Sequence, residues 1–439
     1  MKTDNCMKTP MKLKKCSAAN CTAALLVCGL LAAQGAGFDL PDQDAFVIGR
    51  GMAFVATADN PSAIYYNPAG ITQLQGKNLR VGIYAIDLET TYKPTSGPEA
   101  GKSFDNQNRL HALPQFYYTY TPNESPISLG LGVYAPFGLS QKWPQDTGFR
   151  TVATQGSINY LTANPIIAIK LAPNFSMGAG LTINYAQLDL RQGLVWPAQP
   201  YDELRFRGDG WDVGYNLGAM WQPHEKVSLG VTFRSTTTPT LTGHTTFHNK
   251  VAFPPGSEEP FVPAFPTQHV AARTDDPLPL KVIAGISYRP TPKWNFEFDA
   301  DYTDWKRQDK LTIHQDSGFA GLLPKDINVP LKWESSFYYE FGATRYLENG
   351  WLVSGGYIFN ENSIPDSHYS PLVTDMDRHF FSLGLGHRGQ RFDFDVAYQF
   401  GYGPTRTVSG SAPSTTGQTA DGKYDFISHA VAVSVGMHF

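Results

Sequence analysis

The chain has 439 residues, a formal net charge of −4 and 17% charged residues, with 22 Tyr, 27 Phe and 41 Gly. The small net charge gives no reason to expect a nucleic-acid partner, and the negative mean hydropathy argues against a bundle of apolar membrane helices. Both values are compatible with a membrane β-barrel, because barrel strands are apolar on one face only and their loops are polar.

The first 35 residues have the layout of a secretory signal peptide. Lysines precede an apolar run that is too short to span a bilayer, and small residues follow where a signal peptidase reads them. We therefore predict cleavage before Ala36, with Met11 as an alternative start. Lipidation at Cys28 is the rival interpretation, although the residue before it is not small. All cysteines lie in residues 1–28, so no thiol chemistry is expected in the mature chain.

Residues 36–77 are predicted to form an N-terminal hatch. The segment from Ala36 to Leu74 is rich in small residues and has two Asn-Pro breaks, which favour turns and short helices over a strand. Near its end stands Asn67-Pro68-Ala69-Gly70, where Pro68 fixes one φ and Gly70 frees another, so that a sharp turn is expected. In front of a barrel formed by residues 78–439, this compact segment would be a plug.

From about Leu79 onward, long segments alternate between apolar and polar residues, as strands with two different faces do. In the segment 294–302, the apolar set carries four aromatic rings. The polar set carries three carboxylates, Glu297, Asp299 and Asp301, which we expect to face a wet lumen. A soluble β-sandwich also alternates, so the pattern alone leaves both architectures open.

Connection lengths favour the barrel. Six short turns alternate with seven long polar connections, which is typical of tight periplasmic turns and large outer loops. The sequence therefore predicts an all-β fold, a 14-stranded antiparallel transmembrane β-barrel plugged by a small N-terminal hatch. The short turns are placed at 121–126, 172–174, 222–225, 289–292, 347–350 and 386–390, and the long connections at 93–108, 141–156, 192–209, 239–277, 310–332, 361–377 and 403–423.

The chain ends in Phe439, on the apolar face of the last predicted strand. A terminal Phe in this position resembles the signal read by the outer-membrane barrel assembly machinery, and the alternative is an ordinary edge strand of a secreted β-protein. We expect a monomer in the outer membrane of a Gram-negative bacterium, in contact with outer-membrane lipid.

The chain resembles the FadL/TodX (OMPP1) family of outer-membrane transporters for long-chain fatty acids and related hydrophobic compounds. The resemblance covers essentially the whole mature chain and rests on 36–38, 67–70, 134–138, 164–165 and 210–218. It implies passive transport of a long-chain fatty acid or another hydrophobic small molecule, without a cofactor. Toluene-like hydrocarbons are the alternative substrate. A general diffusion porin and a lipid-acting outer-membrane enzyme are the alternative functions, although no G-x-S-x-G, H-E-x-x-H or Walker motif is present.

Pro136-Phe137-Gly138 interrupts a strand-like run, because Pro cannot donate to the ladder and Gly weakens it. The family resemblance implies an inward kink of the third strand at these residues. Such a kink makes a gap in the wall through which an apolar ligand leaves sideways. The alternative is a strand that simply turns into a loop.

Large apolar rings in the predicted outer loops form a further candidate site, with Trp143, Phe149 and Trp196 as its main members. Exposed apolar clusters usually mark a binding surface, and packing of loop against loop is the alternative. A carboxylate ligand needs a cationic partner, but no basic residue is assigned. Arg50 in the hatch is one candidate, with a buried ion pair as its alternative role.

Overall fold

The computed structural model of this chain describes residues 37–194, 202–249, 265–318, 324–414 and 416–439. Within these ranges, twenty antiparallel strands form one sheet. Their bounds are β1 (Gly76–Lys93), β2 (Phe104–Asp105), β3 (Leu110–Thr121), β4 (Ile127–Tyr134), β5 (Gly138–Lys142), β6 (Gln155–Ala172), β7 (Phe175–Gln192), β8 (Glu203–His224), β9 (Val227–Arg234), β10 (Thr240–Asn249), β11 (Phe265–Asp275), β12 (Lys281–Thr291), β13 (Trp294–Thr303), β14 (Lys310–Gln315), β15 (Asp326–Pro330), β16 (Ser336–Tyr346), β17 (Trp351–Asn360), β18 (Arg378–Arg388), β19 (Phe392–Val408) and β20 (Gly422–His438).

Fourteen of the described strands close into a barrel. The ring runs β1, β3, β4, β6, β7, β8, β9, β12, β13, β16, β17, β18, β19 and β20. The last strand returns to the first in a ladder from Asn78↔His438 to Lys93↔Lys423. Closure pairs every wall strand with a neighbour on each side over most of its length, which spares the bilayer the cost of long unpaired edges. The prediction of a 14-stranded antiparallel barrel is thereby confirmed.

The lipid-facing side of the wall follows from the alternation. In β18, the outward residues Phe381, Leu383 and Leu385 are exposed, while Ser382 between them is buried. The other wall strands repeat this arrangement, and together they form an apolar belt.

The strands β10, β11, β14 and β15 continue the sheet from β8 beyond the wall. The long connections placed at 239–277 and 310–332 do join wall strands, but each contains two strands that were not predicted. Their outward positions hold polar residues such as His244 and Thr246. Outside the bilayer no lipid requires an apolar face, so these strands lack the pattern by which the others are recognised.

The hatch, residues 37–74, fills the barrel interior. It contains two short helices, α1 (Ala45–Ile48) and α2 (Ala63–Tyr66), and a 3₁₀ helix at Pro68–Gln73. The helix α1 packs against β18–β20, and the 3₁₀ helix packs against β6–β8. Further 3₁₀ turns lie at Trp305–Arg307, Glu348–Gly350 and Asp366–His368.

Residues 1–36 lie outside the described part of the chain, and with them the predicted cleavage site and Cys28. The division into signal peptide, hatch and barrel therefore stays a prediction, although β1 begins at Gly76. No helix among the described residues is long and apolar enough to cross a membrane.

Candidate transport site

The carboxylates of β13 hold the hatch in place. Glu297 and Asp299 accept four backbone N–H bonds from residues 54–57, at 2.7–3.1 Å. Both side chains are buried, as is Asp301. The expectation of a wet lumen was therefore wrong, because hatch backbone lies against Glu297 and Asp299, and Lys281 lies against Asp301.

Arg50 of the hatch is a partner of the same carboxylates. Its guanidinium is fully buried, with Nη2 3.1 Å from the Glu297 carboxylate and 2.5 Å from Oδ1 of Asn295. This geometry favours the ion-pair interpretation over a role in ligand binding, because the contacts join the hatch to the wall.

The string Asn67-Pro68-Ala69-Gly70 lies against β7 and β8. The Asn67 side chain accepts the Ala69 N–H at 3.2 Å and donates to the carbonyls of Val55 and Ala219 at 2.8 and 3.1 Å. Asn67 thus starts the 3₁₀ helix and ties it to the hatch and to the wall.

Wall glycines make room for this string. A Cβ at Gly218 would lie 2.2 Å from Oδ1 of Asn67, and one at Gly178 would lie 2.5 Å from the Pro68 carbonyl carbon. Gly70 itself lies within the 3₁₀ helix, and a Cβ there would be 2.3 Å from the Ala58 carbonyl oxygen. The expectation that Gly70 supplies conformational freedom was wrong. Its lack of a side chain instead allows the backbone at Ala58 to pack closely against it.

The third wall strand breaks between β4 and β5. Tyr134 pairs with Thr162 of β6, and Gly138 pairs with Asn159. Four steps along the broken strand thus match three along β6, so the break holds one residue more than a continuous strand would. This is the signature of a bulge.

The break leaves a gap in the wall. The ladder between β3 and β4 ends at Phe116↔Val133. Beyond it, residues 110–115 of β3 pair with β1 on one side and with no described strand on the other. Backbone without a hydrogen-bonded neighbour is tolerated at membrane depth only where it borders protein or a cavity.

The first residues of the hatch bind the break. The Leu40 N–H donates to the Pro136 carbonyl and the Gly138 N–H donates to the Phe38 carbonyl, both at 2.9 Å. Asp39 forms a bridge with Phe137. We call residues 37–42 the arm. The structure thus joins the break to the arm, whereas the string 67–70 lies against other strands.

An aromatic box surrounds the arm. The Phe38 ring centroid lies 5.0 Å from Trp305, 5.7 Å from Trp333 and 6.0 Å from Phe137. Phe137 also packs edge-on to Tyr160 at 5.4 Å. The Phe38 side chain therefore occupies the apolar space directly behind the break.

A small pocket opens beside this box. Tyr134, Pro136 and Phe137 line it at the break, and Arg234 and Lys281 line it on the opposite wall. The free space is about 30 Å³, which is of the order of one or two water molecules.

Sequence reasoning missed the two cations of the pocket. Arg234 donates through Nη2 to the Tyr65 carbonyl and lies 3.5 Å from the Tyr65 ring centroid, while Nε and Nη1 have no partner among the described residues. Lys281 Nζ lies 2.6 Å from Asp39 and 2.8 Å from Asp301. The available signal was an arginine at an inward position of an otherwise uncharged strand.

Residues 26–439 match the family model described as "Outer membrane protein transport protein (OMPP1/FadL/TodX)". The chain belongs to this family. It is therefore a FadL/TodX-family outer-membrane transporter of hydrophobic compounds, as the sequence predicted.

Similar proteins come from several bacteria. The chain is 21% identical to the long-chain fatty acid transport protein of Escherichia coli (strain K12), over 84% of this chain and 89% of that protein. It is 22% identical to outer membrane protein P1 of Haemophilus influenzae, over 87% of this chain and 88% of that protein.

Solved structures share the fold. A Pseudomonas aeruginosa FadL homologue has a TM-score of 0.79 at 19% identity, covering 92% of this chain and all of that one. The Pseudomonas putida toluene transporter TodX has a TM-score of 0.70 at 14% identity, with the same coverage. At these identities the likeness concerns the fold alone and leaves the substrate of this FadL/TodX-family chain open.

The outer loops of the barrel pack tightly together. Trp143 and Phe149 are fully buried, and their rings are 5.4 Å apart. The Trp143 indole N–H donates to the Pro371 carbonyl at 2.8 Å, and Tyr92 packs on Phe149 at 4.6 Å. Contact with a ligand would require these loops to separate, so their binding role stays a prediction. Trp196 lies outside the described residues.

Proposed function

We propose that this protein carries long-chain fatty acids passively across the outer membrane and releases them sideways at the third-strand break. The observation that carries the proposal is Arg234, a half-buried side chain whose Nε and Nη1 atoms are buried and have no hydrogen-bond partner among the described residues. Burying a donor without an acceptor is costly. A carboxylate is the ligand group that best satisfies a guanidinium.

Lys281 adds a second cation that depends on the arm. One of its two acceptors, Asp39, belongs to the arm, and the other, Asp301, belongs to the wall. When the arm moves, Asp39 leaves with it. A fatty-acid carboxylate then replaces Asp39 between Lys281 and Arg234.

The alkyl chain takes the place of Phe38. Movement of the arm empties the aromatic box formed by Phe137, Trp305 and Trp333, which adjoins the pocket through Phe137. The rest of the hatch stays seated, because Glu297 and Asp299 hold residues 54–57. Opening is thus local to the arm and does not unplug the barrel.

The arm also controls the lateral gap. Its bonds to Pro136 and Gly138 are two of the hydrogen bonds between the hatch and the break, and Gln43, directly after the arm, donates a further one to the Ala135 carbonyl at 2.7 Å. Their loss opens the path from the pocket to the lipid beside residues 110–115. A sideways route suits an apolar solute, because a water-filled pore offers it no favourable environment.

A toluene-like hydrocarbon is the second candidate substrate. The observation that favours it is the aromatic box itself, whose rings would pack on an aromatic ligand. Such a ligand would leave Arg234 unsatisfied. No catalytic step is invoked for either substrate, so the function proposed is transport and not catalysis.

Replacement of Arg234 tests the choice between these substrates. In cells that lack their own fatty-acid transporter, Arg234→Gln should lower palmitate uptake by about tenfold, because a hydrogen bond to a charged group contributes about 1.5–3 kcal/mol. Arg234→Lys should retain part of the uptake. Arg205→Gln is the matched control, since Arg205 pairs with Asp189 on the outer sheet, away from the pocket.

Toluene uptake measured in the same strains separates the outcomes. Equal palmitate uptake by Arg234→Gln and the control would contradict the proposed carboxylate site. Uptake of toluene without palmitate by the unmodified protein would favour the second candidate. Heat-modifiable mobility on denaturing gels shows that each variant is folded.

A further inference from the structure

A second break in the wall lies across the pocket from the first. The residues Ser235–Pro239, which we call the β9–β10 link, join two strands that both pair with β8. Arg234 pairs with Asn216, and Thr242 pairs with Asp209. Eight steps along the linked strands thus match seven along β8. The link holds one residue too many, as the third-strand break does.

The β9–β10 link bends into the barrel. Oγ1 of Thr237 lies 3.0 Å from the hydroxyl of Tyr160, a buried residue of β6. A Cβ at Gly214 would lie 2.6 Å from Cγ2 of Thr237, so this side chain covers the inward face of β8. The Thr237 carbonyl accepts the Leu278 N–H at 2.8 Å, which fixes the link to the neighbouring connection.

The inward bend leaves β8 without a neighbour over a short stretch. The last bond below the stretch joins the Ser235 N–H to the Tyr215 carbonyl at 2.9 Å. Above it, Gly210 approaches Thr240 closely, since a Cβ there would lie 2.2 Å from the Thr240 carbonyl oxygen. Between them, residues 211–214 have no described strand on this side, over about 10 Å of wall.

The outward side chains of residues 211–214 are unusually exposed, as expected where a neighbouring strand is missing. Trp211 and Val213 are 68% and 66% exposed, among the highest values of the large apolar residues described. The charged residues Arg207 and Asp209 follow directly above them on the outward face of β8. The stretch therefore lies at the upper edge of the apolar belt, near the lipid headgroups.

The pocket reaches from one break to the other. Pro136 and Phe137 line it at the third strand, and Tyr215, Ser235 and Thr237 line it at the link. Tyr215 belongs to the outward face of β8 and is 46% exposed. Unpaired wall backbone next to a cavity is the arrangement that a bilayer tolerates.

We propose that the β9–β10 link forms a second lateral window, through which the pocket exchanges hydrophobic molecules with the outer leaflet. The identity of the molecule rests on the proposed function, whereas the window rests on the wall geometry. The two breaks then give one pocket two openings to lipid, with Arg234 at the base of the second.

Single-residue deletions close the windows selectively. Deleting Thr237 brings β9 and β10 into one continuous register with β8, and deleting Pro136 does the same for the third strand with β6. Deleting Ser96 from an exposed loop is the matched control. The expected result is reduced palmitate uptake for each of the two window deletions, and loss of uptake to the level of empty-vector cells when they are combined. The proposal would be overturned if deleting Thr237 left palmitate uptake unchanged both in the otherwise intact protein and in the Pro136 deletion variant.

A labelling experiment needs neither transport nor a deletion. All four cysteines lie in residues 1–28, so Ser235→Cys adds one thiol to the chain that follows. In proteoliposomes, a membrane-soluble maleimide should label this thiol, while a charged, water-soluble maleimide should not. Thr232→Cys is the matched control, because Thr232 is buried inside the intact ladder of the same strand.

The readouts separate the two proposals. Labelling of Ser235→Cys from the lipid phase, in a protein that takes up no palmitate, retains the window and rejects the fatty-acid substrate. Absence of labelling by the membrane-soluble reagent, or equal labelling of the Thr232→Cys control, would overturn the window whatever the substrate is.

Discussion

At the scale of single residues, the surroundings of each inward side chain decide its role. Periodicity correctly placed Glu297, Asp299 and Asp301 on the inward face of β13. It did not show that the hatch packs against them, because Glu297 and its partner Thr57 are 240 residues apart in sequence. Arg234 was missed for the same reason, since what distinguishes it is two buried guanidinium nitrogens without a partner at the lining of a pocket, and both features depend on tertiary structure.

Glycine packing gives a prediction at this scale. Gly218→Ala should displace the string 67–70 and loosen the hatch, because its Cβ would lie 2.2 Å from Asn67. Planar-bilayer recordings should show a raised ion conductance. Gly355→Ala is the matched control, because the nearest atom to its Cβ is 3.9 Å away. Equal conductance of the two variants would refute the role assigned to the wall glycines.

The arm carries a titratable group whose effect on stability can be measured. Burial raises the pKa of Asp42 to about 7, while a hydrogen bond from Gln399 opposes the rise. The protonated acid is thus favoured in the folded protein. Stability is therefore lost as the pH rises from the unfolded-state pKa of about 4 towards 7.

The corresponding test compares wild type with Asp42→Asn at pH 5 and pH 8. The midpoint of guanidinium unfolding should fall between these values in wild type, and the fall should be smaller in the variant. Asp326→Asn, at an exposed position of β15, serves as the control. The same fall in Asp42→Asn as in wild type would show that this carboxyl does not titrate as described.

At the scale of elements, turn and strand positions were the most predictable features. The turns placed at 121–126 and 347–350 separate β3 from β4 and β16 from β17. The outer extension formed by β10, β11, β14 and β15 was not predictable, because strands outside the bilayer need no apolar face. The break at 136–138 could be located from Pro and Gly, but its hydrogen bonds to the arm could not.

The hatch as an element gives a further prediction. Deleting residues 45–74 removes the groups that Glu297, Asp299 and the wall glycines hold, so the barrel should become a leaky pore. Cells that produce the deletion variant should become more sensitive to large antibiotics than cells that produce the full chain. A barrel that folds and stays tight without these residues would contradict the plug assignment.

At the scale of the whole molecule, the barrel and the hatch form one structure, in which the arm is the part that we propose to move. The wall glycines Gly178 and Gly218 and the β13 carboxylates hold the hatch in place. The arm closes the pocket with Phe38 and Asp39. Family membership establishes an outer-membrane transporter of hydrophobic compounds. The proposed selectivity for a carboxylate depends on Arg234 and Lys281 alone.

The most direct test of this account is a crystal structure of the protein with a bound long-chain fatty acid. The account predicts the ligand carboxylate within hydrogen-bonding distance of Arg234 and Lys281, with the alkyl chain in the aromatic box and Phe38 displaced. A carboxylate bound elsewhere, with Phe38 still between Phe137 and Trp305, would contradict it.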